Sequence, residues 1–191
     1  AEECGLIDEI SHWALNESCR QLAEWRRQGL NIPTVSVNLS STNFHNLDLP
    51  RYLVETLEQH ALLPGDLILE ITESVMMDTN LSTMRNLHEV HALGIGLAMD
   101  DFGTGYSSLG YLRSIPLSAL KLDKSFVNGM EHDVAAQALT HAVICIGDSL
   151  NLTVIAEGVE TEAQRFLLDA QGCKVGQGYL FSQPLPPELL A

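Results

Sequence analysis

The chain of 191 residues is 46% hydrophobic and 18% charged, which suits one globular domain over residues 1–191 and argues against a disordered chain. Its 25 Asp and Glu outnumber its 10 Lys and Arg, and the net charge of −15 opposes non-specific attraction to a nucleic-acid polymer or an anionic membrane. No stretch approaches the roughly 20 apolar residues of a membrane span, so we expect no membrane contact by this domain. The four cysteines lack metal-type or CxxC spacing. We expect them to be reduced and buried, and the domain to be cytoplasmic. The parent protein could still have a membrane anchor outside this domain.

Helical and strand patterns alternate along the chain. Apolar residues from Ile7 to Leu22 recur at helical spacing, and Gly29 closes this first predicted helix. The β-branched run TVSVNLS then predicts a buried strand ending near Asn38. Later helices are predicted at about Leu49 to Leu62, Leu81 to Leu93, Ser108 to Arg113, Ala135 to Leu150 and Thr161 to Gly172. Later strands are predicted as LILEIT ending near Glu70, IGLAMD, ALKLD, LTVIAEG and KVGQGYLF.

Near-continuous apolar strands separated by helices are typical of parallel strands covered by helices, and so of an α/β fold. Both a barrel and an open doubly wound sheet satisfy this pattern. Almost every predicted strand has a polar residue at or just after its C-terminal end; these are Asn38, Glu70, Asp100 with Asp101, Lys121, Glu157 and Gln177. In a TIM-like (β/α) barrel such ends surround one mouth, with roughly 31 residues per unit. The spacing here is 20 to 36 residues, so we predict the barrel and one shared site.

The predicted ring holds four carboxylates, which would repel one another without a cation. An all-oxygen ligand set favours Mg²⁺ or Mn²⁺ over zinc. The adjacent acids Asp100 and Asp101 suit two ions, because one carboxylate can bridge both while its neighbour serves the second. Lys121 would add positive charge near a phosphate. Each acid taken singly is equally typical of an exposed or capping carboxylate, but together they indicate hydrolysis of a phosphate ester.

Six motifs carry a more specific signal. They are VNLS (37–40), LEITES (69–74), MDDFGTGYSSL (99–109), KLDKSFV (121–127), IAEGVET (155–161) and GQGYLFSQPLP (176–186). In order and spacing they resemble the EAL family, the bacterial cyclic di-GMP phosphodiesterases. The resemblance covers essentially the whole chain, and DDFGTGYSSL with AEGVET is far more specific than a lone glycine motif.

The resemblance implies a role for each matching residue. Asn38, Glu70 and Asp100 match ligands of a first metal ion, while Asp101 and Glu157 match residues that serve a second ion together with the bridging Asp100. The implied catalytic residues are Lys121, which orients the attacking water or screens the phosphate, Glu157 and Asp101. The residues implied to line or support the site are Gln177, Glu73, Asp123 and Pro184, of which Glu73 holds the DDFGTG loop.

The implied activity is hydrolysis of cyclic di-GMP to linear pGpG by in-line attack of water at two ions. The resemblance implies Mg²⁺ or Mn²⁺ as cofactors and Ca²⁺ as an inhibitor. It also implies a homodimer, whose surface is linked to the metal site by the loop containing Gly103 and Gly105, and fusion to sensory or diguanylate cyclase-like domains. The alternative is a catalytically weak or inactive receptor that binds the nucleotide without cleaving it. Such relatives usually lose acids of the metal set, whereas all four are present here.

The resemblance also has a gap at its start. The residues AEECGLI match a point well inside the family domain, so the first two strands and the Glu-Ala-Leu motif, whose glutamate ligates a metal, are expected to be missing from this chain. A barrel without them would have unpaired strand edges. We therefore expect the chain to hydrolyse cyclic di-GMP poorly, and upstream residues or another chain to cover the gap.

Overall fold

The computed structural model describes residues 6–78, 80–103 and 109–190. The chain divides into two compact units, residues 1–98 with 114–116 and 191, and residues 99–113 with 117–190. The helices are α1 (Ile7–Arg27), α2 (Leu49–Gln59), α3 (Glu73–Met77), α4 (Leu81–Ala92), α5 (Leu109–Leu112), α6 (Lys124–Val127), α7 (Val134–Ser149) and α8 (Glu162–Ala170). The strands are β1 (Val35–Asn38), β2 (Leu67–Thr72), β3 (Gly96–Phe102), β4 (Ala119–Leu122), β5 (Thr153–Ala156) and β6 (Val175–Gly176).

In the first unit, α1 buries one apolar face. Leu15, Cys19 and Leu22 recur at spacings of four and three residues and are fully buried, as expected for one side of a helix. Arg26, in the last turn of α1, donates hydrogen bonds to the carbonyl oxygens of Ile32 (3.1 Å) and Pro33 (2.6 Å). These bonds fix the path of the chain from α1 into β1.

Strands β1 and β2 pair in parallel in the first unit. Their register runs from Val35 opposite Leu67 to Asn38 opposite Glu70. Because parallel strands run in the same direction, this register brings the C-terminal residue of β1 directly beside Glu70. The first residues of β3 follow β2 in strand order.

The second unit contains the end of β3, followed in strand order by β4, β5 and β6. Strands β4 and β5 pair in parallel from Ala119 opposite Thr153 to Leu122 opposite Ala156, and β5 pairs in parallel with β6. All four residues of β4 are buried, which is typical of a parallel strand covered on both faces. Helix α8 begins with a capping box, in which Thr161 accepts from the N–H of Gln164 and Gln164 accepts in return. The α/β class is confirmed.

Several predictions of individual elements were wrong. The predicted strand KVGQGYLF is a strand only at Val175–Gly176, because the chain turns after Gln177 and Leu180 donates its N–H to the carbonyl of Val159. Helices α3 and α6 were not predicted. Cys145 is exposed rather than buried, since it lies on the outer face of α7, while Cys19 and Cys173 are buried and free. Among the described residues, no helix is both long and apolar enough to cross a bilayer.

Candidate active site

The candidate site in the second unit is built on the C-terminal ends of three strands. Asp100 and Asp101 lie near the end of β3, Lys121 lies in β4, and Glu157 directly follows β5. The Nζ atom of Lys121 is 3.0 Å from Oδ1 of Asp100 and 2.9 Å from Oε1 of Glu157. The Lys121 side chain is only 6% exposed, so these ion pairs are shielded from the solvent that weakens surface pairs.

Three carboxylates of this site converge. Asp100, Asp101 and Glu157 each offer one oxygen atom, and these oxygens lie within 4.8 Å of one another. Lys121 compensates part of their negative charge. The oxygen-only donor set and its convergence fit a divalent cation that prefers carboxylate ligands.

Asp101 is electrostatically and conformationally unusual. Although the residue is exposed overall, partial desolvation of its carboxyl, then the negative charges of Asp100 and Asp123, raise its pKa, and Lys121 and Lys124 oppose this shift only in part. Its φ of +53° is one of the few positive values at a non-glycine residue among those described. Its backbone N–H donates to Oδ1 of Asp100 at 3.1 Å. A carboxylate held in this way favours the approach of a cation.

The first unit holds a second pair of candidate ligands. Nδ2 of Asn38 donates to Oε2 of Glu70 at 3.2 Å, and Glu70 is 8% exposed. Since the amide donates through nitrogen, its Oδ1 atom is the one that could ligate a metal. The structure thus brings together Asn38 with Glu70, and separately the three acids with Lys121. Convergence of all of them on one mouth stays a prediction.

The supporting residues predicted from sequence lie in different surroundings. Asp123 caps α6 by accepting from the N–H of Ser125 at 2.9 Å. Burial acts to raise the pKa of Asp123, but hydrogen bonds from Ser125 and Lys124 and the charge of Lys124 outweigh it and lower that pKa. The other three are Glu73, the first residue of α3, Gln177, an exposed residue just after β6, and Pro184 in the exposed C-terminal segment.

Sequence reasoning missed the contacts made by α6. A Cβ atom on Gly103 would collide with the ring of Phe126, and one on Gly158 would collide with Cβ of Lys124. These glycines follow Asp101 and Glu157 closely in the sequence. The glycines themselves were the available signal, but their partners are set by tertiary packing. The predicted turn at Gly105 lies outside the described residues.

Comparison with known proteins gives consistent matches. The family model described as "EAL domain" matches residues 1–184. The oxygen sensor protein DosP of Escherichia coli is 45% identical over 98% of this chain and 24% of its own length. The bifunctional diguanylate cyclase/cyclic di-GMP phosphodiesterase MucR of Pseudomonas aeruginosa is 43% identical over 100% of this chain and 28% of its own length. The chain thus spans about a quarter of these relatives.

The structural comparison agrees with the sequence matches. The solved PaMucR phosphodiesterase in complex with c-di-GMP superposes with a TM-score of 0.93 and 43% identity, over 100% of this chain and 77% of that one. A match of this quality over the whole chain confirms the predicted TIM-like (β/α) fold class.

Proposed function

Because the chain belongs to the EAL domain family, we propose that it hydrolyses cyclic di-GMP to linear pGpG. The observation that carries the proposal is the convergence of Asp100, Asp101 and Glu157 around the ammonium group of Lys121. The relatives support the choice of substrate, since MucR carries this activity in its name and the PaMucR phosphodiesterase was solved with c-di-GMP.

We propose Mg²⁺ or Mn²⁺ as cofactors, since the candidate ligands all offer oxygen atoms. Asn38, Glu70 and Asp100 would hold one ion, and Asp101 and Glu157, together with Asp100, would hold the other. Two such ions, when bound, lower the pKa of water and neutralise charge on a leaving oxygen. Ca²⁺ should inhibit, because it is larger and less strict in its coordination geometry.

The protein's own groups perform the remaining tasks. Lys121, held by Asp100 and Glu157, places a positive charge where a phosphodiester gains negative charge during attack, which stabilises the transition state more than the ground state. In this proposal Glu157 would accept a proton from the attacking water. Gln177 and Pro184 would contact the nucleotide, while Glu73 and Asp123 would support the loops.

The direct test is to incubate the protein with cyclic di-GMP and Mg²⁺ or Mn²⁺ and to quantify pGpG by ion-exchange chromatography. We expect slow release of pGpG, as predicted from the sequence, that disappears with EDTA and falls by about 100-fold or more in Asp101→Asn, a loss typical of removing one charged group from such a site. Asp169→Asn, on the surface of α8, is the matched control. A generic aryl phosphodiester should be a far poorer substrate. Binding of cyclic di-GMP without any pGpG would replace the enzyme with the receptor alternative.

We further propose that the protein is a homodimer and part of a longer chain with sensory or cyclase domains. The small share of DosP and MucR that the chain spans supports the second point. For the first, α7 has no Asp, Glu, Lys or Arg from Val134 to Gly147, although the chain has a net charge of −15. Its Val134 and Leu139 are 79% and 58% exposed. An uncharged, partly apolar surface lets two such acidic chains meet without strong repulsion.

Light scattering after size exclusion tests the dimer. Leu139→Glu should halve the measured mass, because it buries a charge in the proposed interface. Leu81→Glu on α4, where Leu81 is 88% exposed, should leave the mass unchanged. A monomeric wild type would refute this interface.

A further inference from the structure

Asp101 lies in a segment whose backbone is held in a disfavoured conformation. Asp101 has a φ of +53° and Gly103 a φ of +94°. Backbone in this region persists at a functional site only when its surroundings hold it there. The packing around Gly103 is therefore relevant to where the Asp101 carboxylate points.

The ring of Phe126 is the main contact at Gly103. An ideal Cβ on Gly103 would meet the Cζ and Cε2 atoms of that ring, so the ring occupies the space that a side chain would take. Only glycine combines this close approach with a positive φ. Phe126 thus lies against the backbone two residues after Asp101.

Phe126 is itself held in place by its own helix and by α7. It lies in α6, whose first turn is capped by Asp123. Its carbonyl oxygen accepts a hydrogen bond from Oγ1 of Thr140 at 3.1 Å, and Thr140, on α7, is fully buried. The hydrogen bond thus anchors the backbone of Phe126 to α7.

The same short helix contacts the segment after Glu157. Cβ of Lys124 lies where a Cβ on Gly158 would be, and Gly158 has a φ of +67°. One helical turn thus contacts the backbone just after Asp101 and just after Glu157, two of the three residues proposed for the second ion.

We propose that Phe126 is a positioning residue: through Gly103 it fixes Asp101, and with Lys124 at Gly158 it makes α6 the element that shapes the second metal site. The inference rests on the proposed two-metal function. It assigns no contact with substrate to Phe126. Its effect should be larger on the second ion than on the first, because Asn38 and Glu70, proposed for the first ion, are held by the pairing of β1 with β2, and only Asp100 is shared by both ions.

The test is calorimetric titration of the protein with Mn²⁺, without substrate. Wild type should bind two ions per chain. In Phe126→Ala, the affinity for the second ion should fall by about 10-fold or more, as for other changes that misorient a ligand, while the affinity for the first ion falls much less. Phe126→Met, which refills the space with a flexible apolar chain, should recover part of the loss. Phe166→Ala, at an exposed site on α8, is the control and should leave both affinities unchanged.

A second variant keeps the test decisive if Phe126→Ala does not fold. Gly103→Ala creates no cavity, but it forces the Phe126 ring and the backbone apart. It should therefore weaken binding of the second ion as well. In a folded double variant the two losses should be less than additive, because both act through one contact. Hydrogen exchange of the amides of residues 100–103 should rise in each variant.

The outcomes separate this inference from the proposed activity. If wild type binds two Mn²⁺ but releases no pGpG, the activity fails and the positioning role stands on the titrations. If wild type releases pGpG and Phe126→Ala retains both affinities, or loses both equally, the positioning role is overturned. A wild type that binds fewer than two ions also overturns it.

Discussion

Asp101 combines a disfavoured backbone with a disfavoured charge. Aspartate tolerates positive φ better than most residues, because its short polar side chain can bond locally. Its raised pKa means that burial and the neighbouring acids penalise the ionised form. A bound cation would relieve this penalty. We therefore expect that a substitution of Asp101 that stabilises the metal-free protein also weakens its binding of metal.

The first prediction follows from the direction of that pKa shift. A carboxyl whose pKa is raised in the folded state stabilises folding below its unfolded pKa, and this contribution is lost as pH rises through the folded pKa. At neutral pH without metal, ionised Asp101 therefore destabilises the protein. Asp101→Asn should raise the melting temperature in EDTA at pH 7, and the gain should shrink as pH falls towards the usual aspartate pKa of about 3.9. A gain that is equal at all pH values would contradict this electrostatic cause.

Lys121 differs from Asp101 in that it supplies positive charge among the acids. Lys121→Met keeps the length of the side chain but removes the charge. We expect kcat to fall by about 100-fold or more with little change in KM, since the ammonium acts mainly on developing charge. Steady-state kinetics with cyclic di-GMP measure this directly. Lys174→Met, on the surface, is the control, and a rise in KM with kcat unchanged would make Lys121 a substrate-binding residue instead.

At the level of elements, the end of α1 is held by one side chain. Nη2 of Arg26 lies 2.9 Å from Oδ1 of Asp66, and its Nη1 lies 2.8 Å from Oδ2. This pairing lowers the pKa of Asp66. Together with the bonds to Ile32 and Pro33, it ties α1 to the starts of β1 and β2. The paired strands in turn place Asn38 beside Glu70.

Substitution of Arg26 tests this connection between α1 and the two strands. Arg26→Lys should lower the free energy of unfolding by about 1–2 kcal/mol, because lysine cannot reproduce the planar fork or reach both carbonyls. Arg27→Lys is the matched control, since Arg27 pairs only with Glu24 among the contacts described for it and its side chain is 74% exposed. Urea denaturation compares the two. Equal loss in both variants would show that the fork does not stabilise α1.

The periodic spacing of apolar residues predicted the long helices and strands, because it shows which face of each element is buried. Helix α1 and strand β2 were both expected close to their observed bounds. Glu70 and Asp100 were predicted at strand ends, whereas β2 and β3 continue to Thr72 and Phe102. Helices α3 and α6 have five and four residues, too few to show a helical period. The ion pairs of Lys121 and the contact of Phe126 with Gly103 also could not be predicted, since both depend on side chains from segments that are distant in sequence.

At the scale of the whole molecule, the net charge of −15 adds a general repulsion that opposes the compact state. Any salt should therefore stabilise the protein somewhat by screening. A specific metal site adds a different effect, since an ion that binds only the folded state stabilises it by mass action. The two effects can be separated, because screening depends on ionic strength whereas binding depends on the identity of the ion and on its ligands.

Thermal unfolding with Mg²⁺ and with NaCl separates ion binding from screening. With Mg²⁺ at about 100 times its dissociation constant, mass action gives about 2.7 kcal/mol, which for a chain of this size corresponds to a rise of about 5–10 °C in melting temperature. NaCl at matched ionic strength should give a smaller rise, equal in wild type and Asp101→Asn. The extra rise with Mg²⁺ should be reduced in Asp101→Asn but kept in Asp169→Asn, whose lost carboxylate lies on the surface and pairs with Lys174. Equal rises with MgCl₂ and NaCl in wild type would mean that the acids act only through their summed charge, and the proposed metal ligands would then have no basis.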